Sequence, residues 1–277
     1  MASKLGIGVK EEDGIMVTFT AFQGTSDELG ELVAITKGTE TAISSTSATF
    51  SYTNVFGNTD IVTLTGTGFS GPTPTLSWHI TSIDGSVNST HYWNVSYAPT
   101  HFITGDVLSN ATLFNDPAAT VFSGDDNIVG SGFGSSQLFG FDGGDTIVAT
   151  GGNVRMDGNG GFNTLICAPH GHDVIEFNST LDSAVNLDTI IGFNGSRDKI
   201  ELLQEIFHKL NFGVLTPGEF VNVHTATTSS KTGAEIIYNS HTHHLFYDSN
   251  GNAAGGLHLI ADVVGSPHFV TSDFFAI

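Results

Sequence analysis

The stretch GFDGGDTIV, residues 140–148, decides the fold, because it is either an ordinary acidic turn or one copy of a repeat. An aliphatic or Met side chain recurs at Ile128, Leu138, Ile147, Met156, Leu165 and Val174, spaced by ten residues once and by nine thereafter. Gly-rich loops precede these positions: SGDDN before Ile128, GFGSSQ before Leu138, GFDGGDT before Ile147 and GNGGFNT before Leu165. A nine-residue unit with glycines for left-handed turns and one apolar residue pointing inward describes a parallel β-roll.

Two units make one coil, so successive loops alternate between two edges. One edge receives Gly124-Asp125-Asp126, then Asp142-Gly143-Gly144-Asp145, then Gly161-Phe162-Asn163. The other receives Gly134-Ser135-Ser136, Gly152-Asn153-Val154 and His170-Gly171-His172, with no acid in its loop cores. Calcium takes six to eight oxygens, from carboxylates and backbone carbonyls alike. The expectation is one or two Ca2+ ions on the acidic edge, held by Asp126, Asp142 and Asp145 with carbonyls of Gly124, Gly143 or Gly161 and with Asn163 as a weaker ligand. The other edge is expected to be metal-free, held by Ser and Asn hydrogen bonds. A worn roll that keeps Asp only for Asx turns stands as the alternative.

Composition agrees with cations as partners. The 277 residues carry 28 acids against 8 Lys plus Arg, a net charge of −20, which repels nucleic acid and anionic lipid. No run of about 18 apolar residues occurs, so no transmembrane segment is expected, and the N-terminus shows no Sec-type signal. The single cysteine, Cys167, rules out an intrachain disulfide. With 34 glycines and β-branched or aromatic runs such as IMVTFTAF, DIVTLTG, EIIYN and LHLIADVV, the chain reads as all-β. The one helix-period segment is ELLQEIFHKL, Glu201 to Leu210, so at most one short helix is expected. Three regions follow: a β-sandwich-like N-terminal module over 1–115, the roll over 116–178, and a β-rich cap over 179–277.

The repeats resemble the RTX (hemolysin-type calcium-binding) motif G-G-x-G-x-D-x-U-x. The segments HDVIEF and LDTIIGFNGSRDKIELL, and the tail to SDFFAI, resemble the region that follows such repeats, so the likeness covers about 120–277. It implies a secreted, extracellular or cell-surface protein of a Gram-negative bacterium. The closing SDFFAI resembles the uncleaved address of type I secretion, with an ABC-type exporter as partner. Calcium outside the cell would then drive folding.

Other patterns are weaker. Asp248-Ser-Asn250-Gly-Asn252 opens like an EF-hand loop, but Leu259 holds the place of the bidentate Glu, so it reads as a turn. His241, His243 and His244 have the composition of a transition-metal site and equally of an exposed turn. His170 and His172 beside Cys167 read as roll-edge residues. Gly66-Thr-Gly68-Phe-Ser-Gly71 is formally GxGxxG, but Pro72 and Pro74 stand where a helix must begin. His79, His91 and His101 with Asp84 and Asp106 are formal catalytic candidates, and Trp78, Tyr92, Trp93, Tyr97 and Phe102 a formal sugar platform. The leading expectation is a surface, matrix or adhesive protein, binding itself or extracellular polysaccharide. The alternatives are a secreted enzyme, hydrolytic or polysaccharide-modifying, and a carbohydrate-binding module, with the RTX-like half as export device.

Overall fold

The computed structural model describes residues 17–21, 39–53, 57–67, 69, 79–87, 90–97, 103–104, 124–130, 135–225 and 232–277. The protein is all-β. Its contacts divide into two units, 1–127 and 128–277.

In the first unit the strands are β1 (Val17–Ala21), β2 (Thr39–Ile43), β3 (Ser47–Thr53), β4 (Thr59–Thr67), β5 (His79–Val87), β6 (Thr90–Tyr97) and β7 (Ile103–Thr104). β2 to β6 form an antiparallel meander, with β1 on the outer side of β6 and β7 paired to β5. Alternation buries one face: Ala48 pairs with Leu64 and Leu64 with Ile83, all three buried. Among the described residues this unit shows one sheet. Trp78 and Phe102 lie outside the described residues, as do His101 and Asp106.

The second unit is a parallel β-roll. β8 (Asn127–Val129), β10 (Thr146–Val148), β12 (Thr164–Ile166), β14 (Asp188–Ile191) and β20 (Leu257–Val264) are neighbours in one sheet. β9 (Ser135–Phe139), β11 (Asn153–Asp157), β13 (Val174–Phe177), β15 (Lys199–Leu202) and β21 (Phe274–Ala276) are neighbours in the other. The chain alternates between the sheets, so these strands make five coils, the fifth being β20 and β21. Parallel register stacks the inward residues in columns. Leu165 pairs with Ile147 and Ile190, and Ile190 with Val263. In the second sheet Leu138, Met156, Ile175, Ile200 and Phe274 follow one another, each with no solvent exposure.

Two expectations change. Val174 is half-buried and pairs with Arg155; the inward residue that follows Met156 is Ile175. The turn before β13 carries one residue more than its predecessor, which shifts the side-chain alternation by one. Glu201 to Leu210 is not a helix. Glu201 and Leu202 complete β15, pairing with Glu176 and Phe177, and the rest makes turns closed by Ile206 N–H to Leu203 O (2.9 Å) and Leu210 N–H to Phe207 O (3.0 Å). Strand pairing along the roll outweighs the local helical period here. Among the described residues the one helical element in this unit is a 3-10 turn, Thr271–Asp273.

The coil also continues past residue 178, through β14 and β15. Between β15 and β20 the chain leaves the roll to form β16 (Gly213–Val214), β17 (Phe220–Val223), β18 (Glu235–Asn239) and β19 (His244–Asp248). β19 pairs antiparallel with β20 and with β18, and β17 runs parallel to β18. Over the end of the roll, Phe269 packs against Phe193 (4.9 Å between centroids), Tyr238 (4.8 Å) and Phe274 (5.3 Å), and Phe220 against Phe274 (5.0 Å). This aromatic layer covers apolar interior that an open solenoid end would expose.

Candidate metal centre

The second to fourth coils place an Asp or Asn two residues before inward apolar side chains: Asp145 before Ile147, Asn163 before Leu165, Asp173 before Ile175, Asp188 before Ile190 and Asp198 before Ile200. Residues two apart in a strand share a face, so these polar groups point inward and are buried, at 1, 1, 0, 4 and 0% exposure respectively. Buried polar groups must be bonded, and Asn163, Asp173, Asp188 and Asp198 accept from the backbone of the adjacent coil.

On the edge that leads into β10, β12 and β14, Asp145 N–H donates to Asn163 Oδ1 (2.9 Å), and Asn163 Nδ2 donates to Asp188 Oδ1 (2.9 Å). Burial pushes the Asp188 carboxyl up to about 7, against the bonds from Asn163 that favour its ionised form. Asp157 is pushed up to about 7 as well, by burial first and then by Glu176 and Asp188; the Asn159 N–H and Arg155 oppose this. Its side chain also accepts from Asn178 Nδ2.

The opposite edge was expected to rest on Ser and Asn. It rests on carboxylates instead, because the alternation that turns Ile175 inward turns Asp173 inward with it. Asp173 accepts from Val154 N–H (3.2 Å) and Ala168 N–H (2.7 Å). Asp198 accepts from Asp173 N–H (3.1 Å) and Asn194 N–H (2.8 Å), and Asp273 from Val270 N–H (2.9 Å) and Lys199 Nζ (3.1 Å). Burial raises the Asp173 carboxyl despite its two backbone donors. Ser136 is buried, and among the described residues its Oγ has no hydrogen-bond partner.

The expected calcium ligands are placed as follows. Asp145 is buried in the loop before β10, and Asp142 in the same loop is exposed, bridging to Gly160 of the next coil. Asn163 has both amide atoms engaged, and the Gly161 carbonyl accepts Leu187 N–H (3.0 Å). Gly143 O lies against Gly161, where an added Cβ would come within 1.6 Å of it; Gly161 has φ +110°, so only glycine allows this approach. Asp126 and Gly124 are buried in the first unit. Among the described residues, no group of three or more His, Cys, Asp or Glu converges on one point. A Cβ at Gly140 would meet Asp145 Oδ2 at 2.4 Å and Gly158 O at 2.7 Å, so the Gly140 backbone packs tightly against a carboxylate oxygen of its own loop and a carbonyl oxygen of the next coil.

The second residue of the repeated loop has a positive φ, at Phe141 (+66°) and at Asn159 in the next coil (+57°). The histidines separate. His243 sits at φ +63° with Nδ1 3.1 Å from Tyr238 OH; His244 Nε2 is 3.4 Å from Asp262 Oδ1; the His241 ring lies 5.5 Å from that of His224. His172 Nδ1 contacts Arg197 O (3.2 Å), and burial pushes the Cys167 thiol up, away from nucleophile chemistry.

Among the described residues no helix is long and apolar enough to cross a membrane. No family model matches the chain, and no curated protein matches it.

Proposed function

We propose that this chain is a calcium-stabilised extracellular protein, exported by an ABC-type (type I) secretion system and acting as a surface, matrix or adhesive component that binds itself or extracellular polysaccharide. The observation that carries the reading is the five-coil parallel roll, with the Asp145 side chain buried in the Gly-rich loop of its acidic edge. A net charge of −20 supports a divalent cation as counterpart. Asp142 and Asp145 with the Gly143 carbonyl would hold the ion on the roll, and Asp126 takes the place of Asp145 in the preceding repeat. When bound, the ion supplies charge compensation for the buried carboxylates of that edge.

Calorimetric titration of chelator-stripped protein with Ca2+ tests the site. Asp145→Asn is the informative variant, because Asn163 occupies the equivalent position one coil on and shows that the fold accepts the amide. The expected result is loss of a binding event in the variant; identical isotherms would remove the roll site. Deleting residues 272–277 tests the export address, where undiminished secretion through the transporter dismisses it.

A further inference from the structure

The edge that leads into β13, β15 and β21 turns its acids inward and leaves its outer surface to other groups. Asp173, Asp198 and Asp273 are fully buried, and each accepts backbone N–H groups. The three loops that carry them, 168–173, 192–198 and 265–273, hold no other acid. His172, Ser196, Ser266 and His268 are exposed on the same loops. In a chain of net charge −20, this stretch of surface therefore presents no carboxylate of its own.

Two of these loops enclose a cleft. Residues 192–198 join β14 to β15, and residues 265–270 join β20 to the 3-10 turn. A cavity of ≈ 590 Å³ lies between them, and its lining includes Asn194, Ser196, Arg197, Ser266, Pro267 and His268. The first loop is held from inside: Asn194 N–H donates to Asp198 Oδ2 (2.8 Å), and Arg197 N–H donates to Asn194 O (2.9 Å). Arg197 Nε is buried and has no hydrogen-bond partner among the described residues. Arg155 and Lys199, by contrast, are paired, the first with Glu176 and Glu201 and the second with Asp273. Asp173, whose charge Arg197 feels, already has both oxygens engaged by the N–H groups of Val154 and Ala168. A guanidinium N–H out of water and unbonded calls for an acceptor from outside the chain.

We propose that this cleft binds a carboxylated sugar, an inference that rests on the polysaccharide-binding reading above and names the unit that is bound. The planar fork of Arg197 matches a carboxylate through two parallel hydrogen bonds. Asn194 Oδ1 accepts from Ser196 N–H (3.1 Å) and Ser196 Oγ (2.7 Å), which leaves the Asn194 amide as a donor to sugar hydroxyls, beside the Ser266 hydroxyl. Val264, 54% exposed, and Pro267 add apolar surface for the C–H face of a ring. One guanidinium, with no second Lys or Arg in the lining, suits a single negative charge and not a phosphate dianion. No acid lines the cleft to receive an ammonium group, so a free amino acid does not fit either. The volume falls within the range of about 300–1,000 Å³ usual for small-ligand sites.

The test titrates the full chain by calorimetry, at saturating Ca2+, with trigalacturonic acid, sialyllactose and neutral maltotriose. Binding of either carboxylated probe supports the cleft, and the tighter of the two tells an internal uronate from a terminal sialic acid as the source. Arg197→Gln should weaken that probe by at least about tenfold, and it keeps the fold because the Arg197 side chain bonds to nothing among the described residues. Arg197→Lys keeps the charge without the fork, so its affinity should fall between those of the native protein and the Gln variant. The proposal is overturned if neither carboxylated probe binds up to about 10 mM, if maltotriose binds as well as they do, or if Arg197→Gln has native affinity. A carbohydrate array of both proteins separates this from the broader reading. Equal polysaccharide binding by native and Arg197→Gln proteins removes the cleft alone, whereas a native protein that binds no polysaccharide removes both.

Discussion

The C-terminal strand should behave as a core element of the roll, and Phe274→Ala measures this. Phe274 has no solvent exposure; it ends the column of Leu138, Met156, Ile175 and Ile200 and touches the rings of Phe220 and Phe269 at 5.0 and 5.3 Å. Removing a Phe ring from such a site costs about 3–5 kcal/mol, from lost transfer energy plus the cavity left behind. For a unit of this size each kcal/mol lowers Tm by about 2–4 °C, so the drop should be near 10 °C. Phe275 is the control. It neighbours Phe274 on the same strand but faces outward and is half-buried, so Phe275→Ala should cost about 1 kcal/mol or less. Urea denaturation of both variants at saturating calcium supplies the comparison. Equal losses, or a loss below about 1 kcal/mol for Phe274→Ala, would show that the tail is appended to the roll and not built into it.

This strand is also the stretch that resembles an export address. Ile277 N–H donates to Leu202 O (3.0 Å) and its carbonyl accepts Gln204 N–H (2.9 Å), so the final residue is held at both ends. A transporter that reads these side chains must meet the chain before the fifth coil closes.

Three further outcomes are expected. Gly161→Ala should cost well over about 3 kcal/mol, because its Cβ would collide with Gly143 O at a φ of +110°, whereas Gly233→Ala, with open space around it, should stay within about 1 kcal/mol by denaturant titration. Ile175→Ala should cost about 2–4 kcal/mol and Val174→Ala much less; the reverse ranking would restore the strict nine-residue register. For pH, the Asp157 carboxyl stands at about 7 in the fold against 3.8 without it, so between these values the native state holds a proton that the unfolded chain has lost. Its contribution is present below about 4 and lost as pH rises through 7, so chelated protein should be more stable at pH 5 than at 7.5 and Asp157→Asn should flatten that slope; a slope unchanged in the variant would dismiss Asp157 as its source.

The roll was legible because its apolar columns are one-dimensional: each coil repeats a spacing, and Ile128, Leu138, Ile147, Met156 and Leu165 all fall inward as that spacing requires. Register failed at Val174, where one extra turn residue breaks the period without breaking the fold. A sharper signal was present in the chain, the recurrence of Asp or Asn two residues ahead of Ile or Leu. It marks inward polar groups on both edges, Asp173, Asp188 and Asp198 among them, which a reading of acids within Gly-rich loops does not place inside the roll. The fifth coil was hidden for a topological reason. Residues 203–256 separate β15 from β20, and no local pattern announces that Phe274 returns to stack on Ile200. The cleft shared by Arg197 and His268 was hidden in the same way, since loops of adjacent coils meet through register and not through spacing along the chain.

The hydrogen bonds divide the aspartates by what they need. Asp173, Asp198 and Asp273 have donors on both oxygens, so their edge is complete without any ion. On the other edge Asn163 stands where a carboxylate would otherwise repel Asp145 and Asp188, and its amide bonds to both neighbours. That substitution replaces a demand for charge compensation by hydrogen bonds. A roll built this way should lose stability on chelation without losing all its coils, because one edge and both apolar columns persist. Hydrogen exchange in chelator should therefore leave β11, β13 and β15 protected while the loop before β10 opens first. Uniform exchange along the roll would mean that calcium holds the whole solenoid, and that the aspartate bonds seen on the second edge do not suffice.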